Sequence, residues 1–163
     1  MSGLVIRDAL PGDVPALCDL LNAIVRTGGT TARLQEMTVS EFTEHYVTGG
    51  HVSACLVAQL DSQAVGFQAV NTDERLPAGW VDIGTFTRRE NPVKGAGAAL
   101  FAATRSRAVG MGYAVINATI RADNVPGLAY YARMGFQNYK IDRAVPLGNG
   151  QLVDRISRRF DLI

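Results

Sequence analysis

Two stretches of this chain hold residues whose types and spacing could do chemistry. The first is NPVKGAGAAL, residues 91–100, where Gly95 and Gly97 follow Lys94 and the pair Arg88–Arg89. The strand-like WVDIGTFT runs into it, and good helix formers follow. A helix N-terminus exposes unpaired N–H groups and the positive end of its dipole, and glycine lets a bulky anion approach because no Cβ intervenes. On its own the stretch fits an ordinary helix start as well as a phosphate cradle. It is not a P-loop, since Lys94 precedes Gly95 and Ala96 follows it. Nor is it the dinucleotide fingerprint: position 100 is Leu, and no carboxylate closes the next strand, GYAVINATI.

The second stretch is ADNVPGLAYYARMGF, residues 122–136. Asn124 suits a helix N-cap, Tyr131 lies two turns along, and Gly135 suits a left-handed cap before Phe136. A tyrosine so placed either packs on a sheet or offers a phenol proton, while Tyr130 beside it points elsewhere and reads as packing. Other reactive types are poorly placed. Cys18, on the stripe Val14-Leu17-Cys18-Leu21, and Cys55, in SACLVAQL, read as small buried hydrophobes. His45 and His51 flank a glycine turn without metal-ligand spacing. The chain has no G-x-S-x-G nucleophile elbow.

The elements that must position these residues follow from periodicity. Leu4 to Ala9 reads as a strand and PGD as a turn, after which Val14, Leu17, Leu20, Leu21, Ile24 and Val25 mark a helix over 13–26. Residues 27–38 are polar and without period, and VSEFTEHYV is a short amphipathic helix stopped by Gly49-Gly50. SACLVAQL and AVGFQAVN form a hairpin, WVDIGTFT a further strand, 95–109 a helix, GYAVINATI a buried strand, and 124–134 a helix. A last hairpin turns at Gly148-Asn149-Gly150. The reading is one α/β (α+β) domain over 1–163, a mixed sheet with helices on its faces. A net charge of +1 speaks against a nucleic-acid partner held by bulk charge. No run approaches the ~18 apolar residues of a membrane span. The N-terminal MSGLVIRDAL lacks a signal segment, so a cytoplasmic location is expected.

Taken together, the two stretches resemble the GNAT superfamily of acyl-CoA-dependent N-acyltransferases. In that family Asn-x-x-Ala-x-x-x-Tyr-x-x-x-Gly-Phe marks the helix beside the thiol end of coenzyme A, and Gly-x-Gly/Ala marks the pyrophosphate loop. The overall spacing and the C-terminal hairpin look most like the bacterial phosphinothricin-acetyltransferase-like branch. The resemblance implies a mixed, mostly antiparallel twisted sheet splayed between strands 4 and 5, with acetyl-CoA as cosubstrate and no metal. It implies coenzyme contacts at Phe86, Thr87, Arg88, Arg89, Lys94, Gly95, Ala96, Gly97, Ala98, Asn124 and Tyr131. One departure matters: the family's loop begins with Gln or Arg where this chain has Pro92, which has no N–H. That leaves the amides of Lys94, Gly95, Gly97 and Ala98 as donors.

The resemblance further implies direct attack of a neutral amine on the acetyl thioester. Backbone groups of Phe86 and Thr87 would hold the acetyl carbonyl, and Tyr131 would protonate the departing thiolate. For the base the chain offers Asp82, on the strand leading to the wedge, and Glu36, in the polar loop. Arg33 and Arg75 are candidates for an acceptor carboxylate. The expected acceptor is a small primary amine, an amino acid or amino-acid-like compound. Two other readings are an acyl-CoA-binding sensor without catalysis and a protein-modifying acetyltransferase. A homodimer is conceivable through the C-terminal hairpin and apolar helices, and no membrane or nucleic-acid partner is expected.

Overall fold

Every strand expected from the alternating and apolar runs joins one sheet, in the order β1-β2-β3-β4-β5-β7-β6. The computed structural model describes residues 3–163. The strands are β1 (Leu4–Asp8), β2 (Val52–Leu60), β3 (Gln63–Asn71), β4 (Trp80–Thr87), β5 (Val115–Arg121), β6 (Gln137–Pro146) and β7 (Leu152–Asp161). The helices are α1 (Val14–Thr27), α2 (Val39–Thr43), α3 (Ala96–Gly110) and α4 (Val125–Met134). Neighbouring strands pair antiparallel except β4 and β5, which run parallel. Among the described residues no helix is long and apolar enough to cross a membrane.

Side chains alternate across the sheet, so each strand serves two cores. Cys55 and Val57 of β2, with Phe67 and Ala69 of β3, face the α1 stripe Val14, Leu17, Cys18, Leu21 and Val25. Ala54, Val70, Val81, Ile83, Ile116 and Ala118 face the other way, against Phe101 of α3 and Tyr131 of α4. The helices thus cover both faces. Both cysteines are buried thiols, and burial pushes Cys55 up to about 12.

Local chemistry ends each element where the next must begin. Asp61 and Ser62, both at positive φ, make the two-residue turn between β2 and β3. Thr38 caps α2 reciprocally with Glu41. Residues 39–47, expected as one helix, are a single α-turn continued by a π-turn over Glu44–Thr48, which seats Phe42 and Tyr46 in the α1-side core. The patternless loop after α1 is pinned near its end by a buried side chain: Asn22 donates to the Met37 carbonyl at 2.9 Å and accepts from its N–H at 2.8 Å.

Candidate active site

Parallel pairing between β4 and β5 lasts for only three registered pairs, Trp80 with Val115, Val81 with Ile116 and Asp82 with Asn117. Beyond that fork, β4 stays on β3 through Thr87 and β5 stays on β7 through Arg121. The strands therefore open a wedge whose facing backbone edges are unpaired. A cleft of about 1540 Å³ runs through it, from the start of α3 to the β6–β7 hairpin.

At one end lies the glycine stretch. Gly95 adopts φ +85 as the N-cap of α3, with open space where a Cβ would sit. The Ala96 N–H bonds the Val93 carbonyl at 3.2 Å, and the Ala96 side chain is buried, so its amide is not free. The amides of Lys94, Gly95, Gly97 and Ala98 have no acceptor among the described residues. Arg88, Arg89, Pro92 and Lys94 line the same end. Four open amides, three cations and the N-terminus of a helix make a site suited to a diphosphate. Arg89 also donates to Thr30 Oγ1 at 2.9 Å, tying the loop after α1 to this end.

In the wall formed by α4, Tyr131 is 7% exposed and its hydroxyl lies 2.8 Å from Thr85 Oγ1. Burial raises its pKa above the ordinary phenol value, against a smaller opposing effect of Thr85, so the phenol holds its proton. Thr85 also accepts from Gln68 Nε2 at 2.9 Å. The same amide donates to Tyr130 at 3.0 Å, and the Tyr130 hydroxyl donates to the Gly97 carbonyl at 2.7 Å. Since Tyr130 gives its only proton to Gly97, Gln68 must present its NH₂ to both hydroxyls. The Thr85 hydrogen is then free to point at Tyr131, leaving the phenol hydrogen for a group in the cleft. Tyr130, expected only to pack, thus belongs to the site. Asn124 caps α4 through Gly127 N–H at 3.0 Å and donates to the Thr30 carbonyl at 3.1 Å. Position 127, alanine in the family motif, is glycine here, where a Cβ would fall 2.4 Å from Asn124 Nδ2.

Asp82 stands three residues before Thr85 on β4, so it faces the α1 side of the sheet. It is largely buried at the fork and accepts from Asn117 Nδ2 at 2.8 Å. Burial raises its pKa to about 6 against that hydrogen bond. Tyr139 donates to Asn117 Oδ1, which fixes the amide so that its NH₂ meets the carboxylate. Phe86 stacks on Phe67 on this side, leaving its backbone at the wedge edge beside Thr87. Arg75 lines the cleft but pairs with Asp73 at 2.7 Å. Glu36 is not brought here: it is exposed, ion-paired with Arg26 and off the cleft wall. Arg33 is also off that wall. The pinned loop leaves Glu36 exposed, which no local pattern announces.

Gln68, Thr85, Asn117 and Tyr139 join the site from outside both sequence motifs. A signal existed for two of them. Gln68 in AVGFQAVN and Asn117 in GYAVINATI interrupt apolar strand runs, and they are 1% and 2% exposed. A buried amide must find partners, so a polar residue inside a core strand points to a network.

The sequence profile described as the Acetyltransferase (GNAT) family matches residues 17–136. No curated protein matches the chain significantly. Among solved structures, an N-acetyltransferase from Staphylococcus aureus Mu50 superposes with a TM-score of 0.87 at 18% identity, over 99% of this chain and 100% of that one. A ribosomal-protein-alanine N-acetyltransferase from Brucella melitensis gives 0.85 at 20% identity, over 96% and 99%. A GNAT superfamily phosphinothricin acetyltransferase from Sinorhizobium meliloti, solved with acetyl-CoA, gives 0.84 at 18% identity, over 98% and 88%. At these identities the likeness is one of fold.

Proposed function

From the premise that this chain belongs to the GNAT acetyltransferase family, we propose that it transfers the acetyl group of acetyl-CoA to the primary amine of a small molecule, an amino acid or amino-acid-like compound. The observation that carries the reading is the buried Tyr131 hydroxyl, held on Thr85 in the wedge of a cleft whose far end is a diphosphate cradle. A similar fold from Sinorhizobium meliloti holds acetyl-CoA, which supports that cosubstrate. The open amides of Lys94, Gly95, Gly97 and Ala98 would hold its pyrophosphate, with Arg88 and Arg89 adding charge.

Acetyl-CoA supplies the acyl thioester, and this chain's residues supply orientation and proton transfer. The unpaired edge of β4 near Phe86 and Thr87 offers backbone donors to the acetyl oxygen. Asp82, across the strand from Tyr131, accepts the proton that the attacking amine loses, directly or through one water. As the carbon–sulfur bond breaks, Tyr131 gives its proton to sulfur, and Thr85 keeps the phenol aimed. The base and the acid stand on opposite faces of one strand. Amine and thiol can therefore reach the acetyl carbon from opposite sides without sharing space.

Free-thiol release over a panel of amines, with native protein and Tyr131→Phe, tests this reading. Thiol from at least one amine, lost in the variant while acetyl-CoA still binds, supports it. Acetyl-CoA bound with no thiol from any amine would instead favour a sensor.

A further inference from the structure

Besides Arg133 of α4, five basic side chains on the sheet and the β3–β4 connection line the cleft outside the glycine loop: Arg75, Arg121, Lys140, Arg143 and Arg155. Four have an acid beside them. Arg75 pairs with Asp73 at 2.7 Å, Arg121 with Asp123 at 2.8 Å, Lys140 with Asp142 at 3.5 Å and Arg143 with Asp154 at 3.0 Å. Arg155 has neither an ion pair nor a hydrogen bond among the described residues, and its Nε is buried without a partner. Its Cα partner on β5 is Arg121, and its partner on β6 is Asp142, which turns to Lys140 instead.

Directly opposed side chains on a sheet lie about 5 Å apart, and like charges so placed repel. Arg121 has only donors, so it offers Arg155 no acceptor, and its own fork is already spent on Asp123 and on the Thr31 carbonyl at 2.9 Å. A buried guanidinium N–H without an acceptor is costly. The cost falls away if an anion enters the cleft, since the planar fork of arginine fits a carboxylate or an equivalent oxyanion. The same strand face carries Ser157 and, across on β5, Thr119 and Asn117, which leads back to Asp82 at the fork. One molecule lying along that face would place its anionic group at Arg155 and its amine toward Asp82.

We propose that Arg155 is an anion subsite that selects acceptors carrying an acidic group on the amine-bearing molecule. The inference deepens the acetyltransferase reading, and it predicts that an acid binds where its amide does not.

The test titrates the standard L-amino acids and their C-terminal amides into protein saturated with coenzyme A, alongside thiol release from acetyl-CoA with the same compounds. The expected result is at least one amino acid bound about 30-fold or more tightly than its amide, the scale of losing one partner of a desolvated charge pair. Arg155→Gln should erase that preference, and Arg155→Lys should keep part of it, with the coenzyme affinity of both unchanged. Acid and amide binding equally in native protein overturns the subsite, as does an acid preference that survives Arg155→Gln. If the preference is present and lost in Arg155→Gln, yet no compound releases thiol, the subsite stands and the acetyltransferase reading falls. Thiol release without any acid preference does the reverse.

Discussion

The Tyr130 hydroxyl donates to the carbonyl of Gly97 at 2.7 Å, and its ring occupies the space where a Cβ on residue 97 would sit. The two glycines of the loop therefore have different reasons. Gly95 supplies a left-handed conformation facing open space, whereas Gly97 admits the ring of a tyrosine thirty-three residues later. Docking α4 onto the start of α3 in this way holds the cradle and the Tyr131 wall in one rigid unit.

Gly97→Ala should accordingly destabilise the protein, because its Cβ would meet Tyr130 Cε1 at 2.7 Å. Overpacking of this kind costs about 1–3 kcal/mol. Thermal unfolding of Gly97→Ala, Tyr130→Ala and the pair checks it. The double variant should lose less than the sum of the singles, and strict additivity would show that the ring is not the obstacle.

Removing the phenol proton donor should slow chemistry without weakening the cosubstrate. Tyr131→Phe is expected to lower kcat about 100-fold or more. Thr85→Val, which leaves the phenol in place but removes its aim, should cost roughly 10-fold. Calorimetry should find acetyl-CoA affinity near native in both. Full turnover by Tyr131→Phe would remove it from the acid role.

Asp82 predicts two opposite pH trends. Its carboxyl is raised from 3.8 to about 6, so the folded protein holds this proton more tightly than the unfolded chain does. Its contribution to stability therefore falls as pH rises from about 4 to about 6 and is flat above. At neutral pH, Asp82→Asn should match or exceed native stability, by up to about 2 kcal/mol, because a buried charge is gone. Activity should move the other way. Native kcat/KM should climb through an inflection near pH 6, and Asp82→Asn should lose both the inflection and most of the rate. An unchanged inflection in the variant assigns the base elsewhere.

For the cradle, Gly95→Ala forces a side chain into φ +85, a strain of about 1–2 kcal/mol. Since no atom lies within 4 Å of the new Cβ, the effect is on backbone conformation. The open amides should shift, and acetyl-CoA should bind several-fold more weakly by calorimetry. Lys94→Ala should weaken binding at low salt and little at high salt, because an exposed charge is screened. Native affinity at low salt in both variants would place the diphosphate elsewhere.

What the sequence determined by itself was whatever depends on neighbours in the chain. The period of Val14 to Val25 made α1, alternation made the strands, Asn124 and Gly135 bounded α4, and paired glycines marked the start of α3. These choices arise within a few residues, through capping and backbone conformation, and a linear reading can follow them. Tertiary structure decided what depends on residues distant in the chain. Only burial at the fork of β4 and β5 raises the Asp82 carboxyl, and only the sheet separates it from Tyr131 by the thickness of a strand. Only distant side chains pin the loop after α1, Asn22 on Met37, Asn124 on Thr30 and Arg121 on Thr31, and leave Glu36 exposed. Only sheet register sets Arg155 beside Arg121, with its other cross-strand neighbour, Asp142, ion-paired to Lys140. A pKa, a direction or an unpaired charge comes from packing at long sequence separation, so it is absent from any single stretch of the chain.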